Sequence, residues 1–368
     1  MTLRPIAVAI SAHGFGHLGQ CVPVVRALQR RFPGRRVVVL SEISPHVLRD
    51  FLGESVEFLP APNHVSILMK DALRVDLNAT SQAFVAWQSR YHEKVAAFVS
   101  VLRSIEPALL LSNVDHTPLS AARELGIPAF AMCSLNWADI LESLFFEDAN
   151  AVSDTDGGTL AKVCRDIRAV YNGAEAFLRV SPGMGMKSLT NLHRVNVLAR
   201  EGERYDLHQR LGVPEHHRLV LLSLGGITQR LELDRWTLPD NTHWIVPDNA
   251  CVPTDRSRIT PFAELNMRFI DVLTSVDILL TKPGYGSFCE AWRNQTSVLY
   301  VRRPRWAEEA ALIDWIQRHT PAQEVSLEAF ERGNITGAMM ALLQRPATFS
   351  SLPGGESEVL NHLAPYLV

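Results

Sequence analysis

Two doubly wound α/β halves are the fold this sequence predicts, and three observations predict it. Short apolar, β-branched runs alternate with longer stretches whose apolar residues recur at three- and four-residue spacing. Such alternation implies parallel strands joined by crossover helices. Two of the strands run into glycine turns that each open a helix, one at Ser11–Gln20 and one at Lys282–Glu290. Between Asp148 and Asn191 the alternation becomes less clear, which separates an N-terminal series from a C-terminal one.

In chain order, Ile6–Ile10 reads as a buried strand and Gly19–Arg31 as the helix after it. Arg36–Leu40, Val56–Leu59, Ala108–Ser112 and Ala129–Met132 continue the strands, with a helical pattern over Gln82–Ile105. Asp156-Gly157-Gly158 and Ser181-Pro182-Gly183-Met184-Gly185 then break the pattern. The second series begins with Leu219–Leu224, which ends in Gly225-Gly226, and continues through Thr242–Val246, Val276–Leu280 and Ser297–Val301. The halves join near Val195–Arg204. This divides the chain into an N-terminal unit, 1–195, a C-terminal unit, 196–345, and a helical segment, 346–368, in which Glu356–Leu367 follows the turn Pro353-Gly354-Gly355.

Composition removes several classes of function. The 368 residues carry a formal net charge of −3, so broad nucleic-acid binding has no electrostatic footing. The longest apolar runs, such as Leu219–Leu222, fall far short of the roughly 20 residues a membrane-spanning helix needs. Met1–Ile10 does not read as a secretory signal. The five Cys are scattered, with no CxxC pair, which disfavours a disulfide framework and a Cys-based zinc site. A cytoplasmic protein, monomeric or homodimeric, is expected.

The first glycine turn, Ser11-Ala12-His13-Gly14-Phe15-Gly16-His17, lies where doubly wound sheets bind ligands. Gly14 and Gly16 permit close backbone approach, and His13 and His17 are two groups able to take a proton near neutral pH. The spacing misses GxGxxG, so a nicotinamide cofactor is disfavoured; the alternative is a tight turn whose histidines cap the helix. Asp115, just past the strand Ala108–Ser112, is placed to orient His17; equally, it is placed to cap the helix that follows.

The second turn, Lys282-Pro283-Gly284-Tyr285-Gly286-Ser287, opens a helix whose free N–H groups suit a diphosphate. Lys282 adds a positive charge and Ser287 a hydroxyl donor, while the Glu290 carboxylate is suited to two ribose hydroxyls. The Walker A pattern is missing, which disfavours ATP hydrolysis. Arg302-Arg303-Pro304-Arg305-Trp306-Ala307-Glu308-Glu309 follows the strand Ser297–Val301. It reads either as sugar- and phosphate-binding groups or as a solvated charged loop.

These motifs, in this order, resemble GT-B glycosyltransferases, above all the group containing the N-acetylglucosaminyltransferase of peptidoglycan synthesis. Asp277–Glu290 and Val298–Glu309 are similar to the glycosyltransferase-like half of plant arabinose kinases. The resemblance covers roughly 6–132 and 195–343; Asn136–Thr190 matches nothing in it. It implies two Rossmann-like domains facing across a cleft, the acceptor on the first and a nucleotide sugar, UDP-linked, on the second. His17 matches the loop histidine that acts as base or phosphate contact, with His13, Gly14 and Gly16 beside the acceptor. Gly225, Gly226 and Thr228 match the donor-phosphate loop, and Gly284, Gly286 and Ser287 the diphosphate-binding helix start. Glu290 matches the ribose-binding Glu, and Phe262 falls where the nucleobase is held. Glu308 and Glu309 fall on an Asp/Glu–Gln pair that grips the donor sugar; the missing Gln leaves the sugar open.

The implied reaction is glycosyl transfer to a small-molecule or lipid-linked acceptor, with no metal and no cofactor beyond the nucleotide-sugar substrate. Its rivals are a UDP-sugar 2-epimerase-like enzyme and a non-catalytic nucleotide-sugar-binding module. Peripheral membrane contact is left open by Leu141–Phe146, read as an apolar acceptor-side loop.

Overall fold

The computed structural model describes residues 3–147, 154–226 and 231–367. Seven strands form the first sheet: β1 (Ile6–Ile10), β2 (Val37–Ser41), β3 (Glu57–Pro60), β4 (Leu109–Asn113), β5 (Ala129–Cys133), β6 (Ala176–Val180) and β7 (Leu192–Val195). Six form the second: β8 (Arg218–Leu222), β9 (Thr242–Val246), β10 (Ile259–Pro261), β11 (Ile278–Thr281), β12 (Ser297–Tyr300) and β13 (Ala322–Glu324). Every pairing is parallel, in the orders β3-β2-β1-β4-β5-β6-β7 and β10-β9-β8-β11-β12-β13. Strands such as Ile6-Ala7-Val8-Ala9-Ile10 are apolar at every position because helices cover both faces of the sheet.

Strand order sets where the site lies. In the first sheet the direction of winding reverses between β1 and β4, and in the second between β8 and β11. Ligand crevices open at the carboxyl ends of strands at such switch points. The segments leaving β1, β4, β8 and β11 are the ones that carry His13, Asp115, Gly225 and Lys282.

Three features differ from the sequence expectation, and a fourth, where the final helix docks, is one the sequence left open. The interval 148–191 holds β6, which extends the first sheet instead of interrupting it. The expected helix Gln82–Ile105 is two helices, Leu77–Ser89 and Tyr91–Ile105, because Arg90 at φ −117°, ψ 20° leaves the helical region. Leu141–Phe146 is not a loop: Leu141, Leu144 and Phe145 are buried in the helix Trp137–Phe145, and Phe146 alone is exposed. The final helix, Glu356–Leu363, docks on the first half. Its Val359 and Leu363 join a core shared with Val22 and Val25 of the helix Phe15–Arg31, while Glu358 accepts hydrogen bonds from the Asn196 backbone and side chain at 2.7 and 2.8 Å. No helix among the described residues is long and apolar enough to cross a membrane.

Candidate active site

A cleft of about 710 Å3 lies between the carboxyl edges of the two sheets. Its floor is made by two helix N-termini, Phe15–Arg31 from the first half and Tyr285–Arg293 from the second. Gly14 and Gly284 occupy the N-cap positions and bring no side-chain cap, so the first-turn N–H groups of both helices are left for a ligand. The two ends meet: a Cβ on Gly286 would come within 3.3 Å of the Gly16 Cα. Gly14, at φ +74°, takes a conformation open to glycine. Two positive helix ends thus address one point, and the basic side chains of Lys282 and Arg303 line the same cleft.

His13, His17, Gly14, Gly16, Gly225, Gly226, Phe262, Lys282, Gly284, Gly286, Ser287, Glu290 and Glu308 all line this cleft. Asp115 and Glu309 do not, and Thr228 lies outside the described residues. His13 is wedged between Trp306, stacked at 5.8 Å, and the edge of Trp137 at 5.3 Å; burial and the neighbouring His17, Arg303 and Lys282 push its pKa well down.

His17 is buried and its Nδ1 lies 2.8 Å from Asn113 Oδ1. The expected pairing with Asp115 does not form. The buried Asp115 instead accepts the Thr117 N–H at 3.0 Å, at the start of the helix Thr117–Glu124. Asn113 is the last residue of β4, whereas Asp115 is two residues further along, beyond Val114 at φ +62°, where the chain has turned. Burial lowers the His17 pKa to about 4, against the opposing pull of the Asn113 bond and with a further push down from His64. The imidazole is therefore neutral at pH 7 and able to accept a proton.

Two other carboxylates are already engaged. Glu290 forms a bidentate ion pair with Arg200, at 2.6 and 3.1 Å, and Arg200 in turn stacks on Phe51 at 4.0 Å. Glu309 turns away from the cleft, its two oxygens share the Arg303 backbone N–H at 3.1 and 3.0 Å, and it pairs with the Arg303 guanidinium at 2.7 Å. The arginine it fixes lies over Trp306 at 4.5 Å. Glu308 faces the cleft, accepting from Ser134 Oγ at 2.7 Å and Trp306 Nε1 at 3.1 Å. Lys282 is buried against the Leu224 carbonyl beside Arg303, and its pKa falls to about 7, chiefly through burial.

Sequence reasoning did not find Gln20, Asn113, Ser134 or Arg200. Asn113 and Ser134 carried a signal: Asn113 is the last residue of β4, and Ser134 directly follows Cys133, the last residue of β5, so both are polar groups where an apolar run gives out. Gln20 and Arg200 carried none, since their neighbours in space are far away in sequence.

No family model matches the chain. It is 23% identical over 362 residues to L-arabinokinase of Arabidopsis thaliana, an alignment covering 95% of this chain and 33% of that protein. The chain thus spans about a third of the length of the curated relative it matches. Among solved structures it is similar to the glycotransferase of kitacinnamycin (TM-score 0.62, 17% identity, covering 99% of this chain and 95% of that one). A UDP-glucosyltransferase from Polygonum tinctorium matches at TM-score 0.62 and 15% identity, covering 100% and 99%. LpCGTa in complex with UDP matches at 0.62 and 14%, again covering 100% and 99%. Two parallel sheets, their carboxyl edges facing across one cleft, give this chain the GT-B fold of glycosyltransferases.

Proposed function

We propose that the protein transfers a glycosyl group from a nucleoside diphosphate sugar, UDP-linked, to a hydroxyl of a small-molecule or lipid-linked acceptor. One observation carries this reading: two uncapped helix N-termini converge on one point of the cleft, with a neutral buried histidine in the first turn of one of them. A diphosphate is the ligand such a point favours. The names of the structural neighbours support the donor class.

In the reaction, the acceptor oxygen gives its proton to His17 Nε2 and bonds to the anomeric carbon. The bond from that carbon to the phosphate oxygen breaks, and the nucleoside diphosphate leaves with the electron pair. Proton transfer to a positioned base is worth about 10²–10⁴ in rate. Charge on the leaving diphosphate is met by the N–H groups of Tyr285, Gly286 and Ser287 and by Lys282 and Arg303, groups already oriented before the reaction begins. Glu308 and Trp306 face the donor sugar and Phe262 the base. On this reading no bound metal is called for.

His17→Ala should abolish transfer while leaving UDP affinity, measured calorimetrically, within about threefold, since a base contributes to the barrier and not to ground-state binding. Unchanged turnover would sink the assignment of His17. The alternative is a module that binds the nucleotide sugar without catalysis, in which Glu290, each of whose oxygens keeps a lone pair beside Arg200, would hold the ribose just as well. UDP binding without any turnover across a panel of nucleotide sugars and acceptors would select that alternative.

A further inference from the structure

Five buried polar side chains form a line from the first half to the second. His17 Nδ1 lies 2.8 Å from Asn113 Oδ1, and Asn113 Nδ2 lies 3.0 Å from Gln20 Oε1. Gln20 Nε2 lies 2.8 Å from Ser134 Oγ, which lies 2.7 Å from Glu308 Oε1. None of the five is more than 5% exposed.

The direction of this line follows from donor and acceptor chemistry. Glu308 as a carboxylate only accepts, so the Ser134 hydroxyl must donate to it. The Ser134 oxygen is then left to accept, which turns the Gln20 NH2 toward it and the Gln20 carbonyl toward Asn113. Asn113 in turn gives its NH2 to Gln20 and its carbonyl to His17. A carbonyl cannot donate, so His17 Nδ1 must carry the hydrogen and the lone pair lies on Nε2. Trp306 Nε1, a donor only, holds the other Glu308 oxygen at 3.1 Å. Reversing the line would set a serine oxygen against a carboxylate with no hydrogen between them.

We propose that Glu308, in the second half, sets the tautomer of His17 in the first half through Ser134, Gln20 and Asn113, so that the base is competent only when the two halves are closed on each other. Ser134, Gln20 and Asn113 are positioning residues in this scheme. The orienting group on Nδ1 is a neutral amide, whose carbonyl opposes the lowering of the His17 pKa by burial but brings no charge to pair with the ring. The titratable groups facing His17 are His13 and His64, Cys133, whose Sγ is 3.6 Å from Nδ1, and Glu308 at the far end of the line.

The test is long-range 1H–15N spectroscopy of the full chain carrying 15N-labelled histidine, without substrate. The wild type should show His17 as one neutral tautomer, protonated at Nδ1. Glu308→Gln, whose amide can donate as well as accept, and Ser134→Ala should both populate the second tautomer; Ser134→Thr, which keeps the hydroxyl, should restore the first. Asn113→Asp should keep the Nδ1 hydrogen but raise the pH at which the ring gains its second proton. An unchanged tautomer in both Glu308→Gln and Ser134→Ala would overturn the proposal, as would an Nε2-protonated wild type. The conservative Ser134→Thr and Asn113→Asp variants keep the test decisive where a truncation fails to fold. Only the kinetic arm rests on the transferase reading: kcat of Ser134→Ala should fall about tenfold or more with KM little changed. Tautomer changes as expected with no sugar transferred by any variant or by the wild type would uphold the relay and defeat that reading.

Discussion

The charge of Lys282 is set by its surroundings. It is buried beside Arg303, and its pKa falls to about 7, burial outweighing the help of Glu309. Above pH 7 the free amine is neutral, while a diphosphate at the helix ends would favour the ammonium. Binding there must take up a proton, so affinity falls as pH rises. UDP affinity is expected to drop several-fold between pH 7 and pH 9, with proton uptake visible by calorimetry in buffers of different ionisation enthalpy. Lys282→Met should flatten that dependence, and a flat profile in the wild type would refute the assignment. The same scale shows why Asp115 was a reasonable candidate for orienting His17 but not the one used. Two positions separate it from Asn113, and a strand end turns sharply enough that only Asn113 points at the imidazole.

At the scale of elements, the two helices Phe15–Arg31 and Tyr285–Arg293 work as a pair, and glycine is what lets them meet. A side chain at Gly286 would press on the Gly16 backbone, and one at Gly226 would meet the Phe15 ring at 3.0 Å. Gly286→Val should therefore push the helix ends apart and weaken UDP binding by about tenfold, roughly the worth of one charge-assisted hydrogen bond. Far-UV circular dichroism should be unchanged, because position 286 is in the first turn and packs no core residue. Wild-type affinity in this variant would show that the close approach is not needed. Both turns were legible in the sequence, because the strand, glycine and helix signals lie within about ten residues. The paired helices replacing Gln82–Ile105 were not: apolar spacing continues through Arg90, and only its backbone angles reveal the break.

Across the whole molecule, the segment between the sheets acts as a clasp. Arg200 sits between Phe51 of the first half and Glu290 of the second, while Asn294 holds the backbone of Arg200 and Gly202 at 3.0 and 2.9 Å. Tyr285 adds a second tie, donating to the Ser181 carbonyl at 3.0 Å and accepting the Leu198 N–H at 2.9 Å. Both members of the Arg200–Glu290 pair are buried, so removing one leaves an uncompensated charge at a cost of about 3–5 kcal/mol. Arg200→Met and Glu290→Leu should each lower the midpoint of thermal unfolding markedly, and the double variant should recover most of the loss. A double variant as unstable as the sum of the singles would mean that the two side chains are not coupled.

By itself the sequence determined the two series of apolar strands, the two glycine turns and the residue types offered to a cleft. All of these are read over short spans, where hydrophobic period and turn chemistry decide the outcome locally. Tertiary structure decided which of those residues face the cleft: Glu308 does, and Glu309 is spent on Arg303. It also decided that Asn113, not Asp115, orients His17, and that Arg200 holds Glu290. The physical reason is range. Partners such as His17 and Asn113, or Ser134 and Glu308, are brought together by strand order and by the closing of one sheet edge on the other. No pattern along the chain records that pairing.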